Sequence, residues 1–239
     1  MIAFLASSPC SPGSGELTEC NGLRAELRRC LPQGELACVY IAGSPHDYDV
    51  NDLYARLERE RWEQAGFAFG RFHLHDARQR DSLAAAMAGA ELVILAGGHV
   101  PTQNAFYQTI GLKEALAGFD GVLFTISAGT MNMAHRVYAL PEREGEARDP
   151  HYRKFYDGVG LTDVMVIPHW QEQRHLVLDG LRILEDIACP DSMGHSFLAL
   201  PDGSYLYLDS QRRELRGEAY RIQNGTIVQI SCHGDVLPL

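Results

Sequence analysis

The sequence predicts an α/β protein: a mostly parallel sheet with helices on both faces, followed by a small antiparallel C-terminal extension. Short apolar runs alternate with stretches of helical spacing through the first half of the 239 residues. Several of those runs stop at glycine or serine, as at Gly43-Ser44, Gly97-Gly98 and Ser127, where strands of such a sheet open into ligand-binding loops. The last third carries short strand-like runs parted by Pro201-Asp202-Gly203 and Asn224-Gly225, both hairpin turn signals.

In chain order, strands are expected over 2–6, 37–42, 68–73, 92–96 and 122–126. Helices are expected between them over 23–31, 50–64, 80–88 and 104–116. The 50–65 stretch sets Leu53, Leu57 and Trp62 near one helical face, with Arg56, Glu58, Arg59 and Glu60 largely on others. Beyond the fifth strand, a helix is expected from about Thr130 and a charged surface loop over 141–156. A strand over 164–167 ends at Pro168-His169, and 177–187 reads as a helix. Strands over 197–200, 204–208, 219–222 and 227–230 complete the extension. There is no repeat, low-complexity tract or linker, so one domain is expected.

A formal net charge of −10 leaves no basic stripe for a phosphate backbone, so nucleic-acid binding is not expected. The apolar runs are strand-sized, so no membrane partner is expected either. The opening MIAFLASSP lacks a basic leader and reads as the first strand. The six cysteines form neither a C-x-x-C pair nor a zinc spacing, which fits reduced thiols in the cytoplasm. No metal or cofactor is expected, for there is no G-x-G-x-x-G and no G-x-x-x-x-G-K-[ST] loop. His73 and His75 share one strand face but have no third ligand in view, and read as strand-edge histidines. His135 reads as a solvent-facing or packed residue. The sequence fixes no oligomeric state; a homodimer stands as an expectation.

The densest chemistry lies in GVLFTISAGTMNM, residues 121–133. A buried strand runs straight into Ser127-Ala128-Gly129 and then a helix, the layout of a nucleophile elbow. Thr125 stands where G-x-S-x-G has its first glycine. A serine hydroxyl needs a base, and the base needs an orienting group. His169, at another strand end, is the candidate base; a histidine packed beside Trp170 is the bland alternative. The acid is sought between them in Pro141-Glu142-Arg143-Glu144-Gly145-Glu146, a stretch that also fits a solvated loop. Ala128 and Gly98 are candidate oxyanion donors, and Gly97 lets backbone approach a ligand. Arg174 could hold a substrate carboxylate, or simply lie at the surface.

Together these residues resemble the serine peptidase family that includes dipeptidase E (aspartyl dipeptidase) and cyanophycinase. The resemblance runs along nearly the whole chain. LVILAGGHVPTQN (92–104) resembles the family's glycine loop, ISAGTMNM (126–133) its nucleophile segment, GVGLTDVMVIPHW (158–170) its base-bearing strand, and FLALPDGSYLYL (197–208) its C-terminal hairpin. It implies a class I glutamine amidotransferase-like fold, Ser127 as nucleophile, His169 as general base and a small peptide substrate. It also implies an acid in the loop after the elbow helix, where Glu144 and Glu146 both fall and Glu144 is preferred. Substrate specificity does not transfer, since the family divides between aspartyl dipeptides and a β-linked Asp–Arg polymer.

Three other readings compete. An α/β-hydrolase esterase shares the elbow but usually separates acid and histidine more widely. A glutamine amidotransferase needs a cysteine at the elbow. A non-catalytic binding or regulatory domain could keep the same fold.

Overall fold

A computed structural model of the chain describes residues 1–10, 15–79 and 82–239. Its centre is an eight-stranded sheet. Five parallel strands come from the first half: β1 (Ile2–Ala6), β2 (Glu35–Ile41), β3 (Ala68–His75), β4 (Leu92–Leu95) and β5 (Val122–Ile126), in the spatial order β3-β2-β4-β5-β1. Helices α1 (Leu23–Cys30), α2 (Tyr48–Gln64), α3 (Leu83–Met87), α4 (Val100–Thr109) and α5 (Leu112–Ala117) fall between them. The predicted 80–88 helix begins on residues outside the described ones. The predicted 104–116 helix is two helices, because Gly111 takes a left-handed φ of 64° between them.

The alternation of side chains along each strand feeds two cores. Ala3, Leu5, Val39, Ile41, Val93, Leu95 and Leu123 pack with α3, α4 and α5 on one face. Phe4, Ala6, Cys38, Tyr40, Leu92, Ile94 and Phe124 pack with α1 and α2 on the other. Trp62 pins α2 there: its indole N–H donates to Glu58 Oε1 at 2.9 Å, and its ring lies 5.3 Å from that of Phe124. Truncating such a buried tryptophan costs about 3–5 kcal/mol. Leu53 and Leu57, predicted to share the face of Trp62, are instead exposed. Asn51, Ala55, Glu58 and Trp62 make the buried stripe, at i, i+4, i+7 and i+11.

After β5 come α6 (Ala128–Met131), β6 (Arg136–Tyr138), β7 (Phe155–Asp157), β8 (Met165–Ile167) and α7 (Trp170–Gln173). The predicted 177–187 helix is not formed. β9 (Val177–Leu178) and β10 (Leu181–Arg182) pair across Asp179-Gly180, whose φ values are 53° and 78°, and a π-helical turn, Ile183–Ala188, follows. Two adjacent left-handed residues make a hairpin turn, and that local signal outweighed the apolar spacing. A short helix, α8 (Cys189–Asp191), leads to the last six strands: β11 (Ser196–Ala199), β12 (Tyr205–Leu208), β13 (Arg213–Arg216), β14 (Ala219–Gln223), β15 (Thr226–Ser231) and β16 (Val236–Pro238).

These last strands divide between two sheets. β12 joins β1 antiparallel and extends the central sheet through β13 and β16. β11, β14 and β15 form a second sheet with β8, in which β14 and β15 are joined at Asn224-Gly225. Pro201-Asp202-Gly203, expected to close a hairpin, therefore crosses from one sheet to the other.

Candidate active site

Ser127 sits between β5 and α6 with φ 51° and ψ −114°, a conformation that L-residues rarely hold. The chain is forced into it from both sides. The Ser127 N–H donates to the Ala6 and Ser7 carbonyls, each at 3.1 Å. Gly129 lies so close to β4 that a Cβ there would fall 2.8 Å from the Ala96 carbonyl oxygen. Thr125, in place of the usual glycine, is accommodated because its hydroxyl pairs with that of Thr130 at 2.6 Å. The Thr130 hydroxyl in turn donates to the Ala6 carbonyl at 2.7 Å.

His169 follows β8 and is itself left-handed, with φ 56°. Its Nε2 is 2.9 Å from Ser127 Oγ, and its Nδ1 is 2.8 Å from Asp202 Oδ1. With Asp202 ionised, Nδ1 carries the proton and Nε2 turns its lone pair to the serine hydroxyl. Ser7 braces both partners: its hydroxyl donates to Asp202 Oδ1 at 2.9 Å and accepts from the His169 backbone N–H at 2.8 Å. The Asp202 N–H donates to Gln171 Oε1 at 3.1 Å. Burial alone would lower the His169 pKa. The hydrogen bond and charge of Asp202, helped by Glu172 and Glu142, outweigh it and raise the value above 6.5.

The carboxylate at the imidazole is thus Asp202, not Glu144 or Glu146. Glu146 reaches the glycine loop instead: its Oε1 is 2.9 Å from His99 Nε2, and its Oε2 accepts the Glu142 and Arg143 N–H groups at 2.9 and 3.0 Å. Burial works against its charge, but those N–H groups and His99 hold its carboxyl below the usual range. Asp179 accepts the Gly145 N–H at 2.9 Å and the Ala147 N–H at 3.0 Å, pulling the loop the other way. Glu144 is left exposed at the surface. Arg174, also exposed, donates from Nε to His175 Nε2 at 2.9 Å and does not line the cavities beside Ser127. His135 is exposed.

Gly97 and Gly98 come to the serine from β4. A Cβ on Gly97 would lie 3.4 Å from Ser127 Cβ, and one on Gly98 would lie 2.9 Å from the Gly43 carbonyl oxygen. Gly43 is tighter still, for its Cβ would fall 1.8 Å from the Gly97 carbonyl oxygen. Three glycines let two loops touch backbone to backbone at the serine. Among the described residues, neither the Gly98 nor the Ala128 N–H donates to another protein group.

Ser127 and His169 border two cavities. The larger, about 510 Å3, is walled by Tyr40, Val50, Tyr54, Gly98 and the Glu58–Arg61 pair. Burial raises the Glu58 pKa against the pull of Arg61 and Trp62. The smaller, about 200 Å3, is walled by Met131, Leu140, Glu142, Gln173 and Leu176. Desolvation and the neighbouring Glu146 push the Glu142 carboxyl up to about 7, against the pull of Arg143 and His169. Asp202 and Ser7 escaped the sequence reading as site residues, whereas Gly43 was expected at a strand end facing the crevice. The Pro-Asp-Gly triplet was the one available signal for Asp202, and it also reads as a plain turn.

No known protein family and no curated protein matches the chain. The fold does have solved likenesses. A peptidase from an acI-B1 Actinobacterium superposes with a TM-score of 0.67 at 15% identity, over 100% of this chain and 96% of the other. A candidate peptidase E protein from Listeria monocytogenes EGD-e superposes at 0.57 with 13% identity, over 96% of this chain and 98% of the other. At such identities the likeness is one of fold.

Proposed function

We propose that this chain is a serine hydrolase of the peptidase type, cutting amide bonds of small substrates with Ser127, His169 and Asp202. The observation that carries the reading is the unbroken hydrogen-bonded line from the Ser127 hydroxyl through the His169 ring to Asp202, set on a strained elbow. The peptidase names of the two solved structures of like fold support amide rather than ester chemistry.

Ser127 Oγ attacks the substrate carbonyl carbon while His169 Nε2 takes the hydroxyl proton. Asp202 stabilises the imidazolium that forms. The Gly98 and Ala128 N–H groups receive the oxyanion, each donor lowering the barrier by about 3 kcal/mol. His169 returns the proton to the leaving amine, and the C–N bond breaks to give an acyl-serine. Water, deprotonated by His169, attacks the acyl carbon; the carboxylic acid leaves and Ser127 regains its proton.

A cavity of about 510 Å3 suits one or two residues rather than a long chain. The charges around it do not favour an aspartyl side chain. Arg61 is the one guanidinium among its described lining residues, and it is bound to Glu58 and to the Gly15 carbonyl. A dipeptide and acyl-dipeptide library incubated with the wild type and with Ser127→Ala tests the reading. Cleavage by the wild type and none by the variant is expected; equal cleavage by both removes the mechanism.

A further inference from the structure

Helix α2 carries two apolar stripes, about a third of a turn apart around its axis. Ala55 and Trp62 lead the buried stripe. In the second stripe, Val50, Leu53, Tyr54 and Leu57 are 37, 41, 57 and 40% exposed. Their spacing, i, i+3, i+4 and i+7, is that of a helix face that packs against another helix. A solvent-facing helix normally carries its polar residues there, so this stripe needs a cover.

The flank of the stripe says what covers it. At 100° per residue, Asp49 and Arg56 lie on the same side of it, two turns apart. Neither has an ion-pair partner among the described residues, whereas Asp52 is held by Arg78 and Arg59 pairs with Glu63. In two helices related by a two-fold axis and running antiparallel, like flanks face each other. An axis near Leu53 sets Val50 of one copy against Leu57 of the other, and Leu53 against Leu53. It also brings Asp49 of each copy to Arg56 of the other, twice. The charge pattern is self-complementary.

We infer that the exposed apolar stripe of α2 is the interface of a homodimer of this chain, built on antiparallel pairing of the two α2 helices. Val50 and Tyr54 wall the larger cavity beside Ser127 as well as belonging to the stripe, so the second copy lies at the mouth of that cavity. One helix pair buries less than the roughly 1,600 Å2 of a standard stable interface. The dimer is therefore a weak one, with a dissociation constant on the order of micromolar. The inference does not depend on hydrolysis.

Sedimentation velocity of the full chain from about 1 to 100 µM tests it, a range that brackets a micromolar constant. The wild type is expected to pass from monomer to dimer across that range, and Leu53→Glu to remain monomeric with an unchanged thermal melt. Asp49→Arg and Arg56→Asp each set like charges opposite one another and should weaken the dimer about tenfold or more. The double variant Asp49→Arg/Arg56→Asp restores the pairs and should restore the dimer. It decides the matter even if Leu53→Glu fails to fold. A wild type that is monomeric throughout, a dimer indifferent to all these changes, or a double variant no better than either single one overturns the inference.

Discussion

Replacing Asp202 with Asn keeps the size of the side chain and removes its charge. In the wild type the carboxylate accepts the Nδ1 proton of His169 at 2.8 Å and fixes the tautomer that leaves Nε2 free. An asparagine can present its NH2 group to Nδ1, which moves the ring proton to Nε2 and leaves Ser127 without a base. The charge matters too. With the imidazolium centre about 4 Å from the carboxylate and an effective dielectric of about 20, the lost attraction is about 4 kcal/mol, close to a thousandfold in rate. The two effects together give a fall on the order of 10³–10⁴ in acylation. The assay is the acylation of Ser127 by p-nitrophenyl acetate, a small activated ester that needs no knowledge of the natural substrate. Glu144→Gln, at the exposed loop position, should leave the rate within about twofold, as a surface change away from the hydroxyl does. Wild-type acylation in Asp202→Asn, with loss of activity in Glu144→Gln, would refute the assignment of the acid.

Acylation should rise with pH through a pKa above 6.5, since His169 must be neutral to act and Asp202 raises its value; Asp202→Asn should move any residual profile to lower pH. Stability should run the opposite way. His169 and Glu142 both bind protons more tightly in the fold, so their contributions are whole below about 6.5 and 4.5 respectively and fade as pH climbs through the folded values, about 7 for Glu142. Thermal melts should show a flatter pH dependence for Glu142→Gln, and an unchanged slope would contradict the raised carboxyl. Gly98→Ala pushes a methyl to 2.9 Å from the Gly43 carbonyl oxygen and should cost tenfold or more in acylation, about 1.4 kcal/mol or more of barrier; Gly97→Ala meets only an ordinary 3.4 Å contact and should cost less. Ser127→Gly should melt at or above Ser127→Ala, because glycine relieves a positive-φ cost of about 1–3 kcal/mol that alanine retains; a lower melt for the glycine variant would argue against strain at the elbow.

The positions of Ser127 and His169 were legible because each closes an apolar run, but β5 belongs to the central sheet and β8 to the second one, so only the fold brings the two strand ends together. The acid was not legible, because chain order suggested a loop between the two, whereas the fold takes Asp202 from a turn that carries the chain between two sheets. Glu146 lay in the expected loop, but His99 and two backbone N–H groups claim its carboxylate. The parallel sheet could be read from alternation alone. The 177–187 segment misled because its apolar spacing suits a helix while Asp179-Gly180 turns the chain back on itself. Helix α2 misled in another way: with two apolar stripes about a third of a turn apart, its spacing did not say which one is buried.

The central claim is that the hydroxyl of Ser127 is an activated nucleophile at the mouth of an open cavity. A fluorophosphonate probe followed by intact mass and peptide mapping tests it most directly. One adduct per chain on Ser127 in the wild type, and none in His169→Gln, is the predicted result; an unlabelled wild type, or an adduct on any other residue, contradicts it.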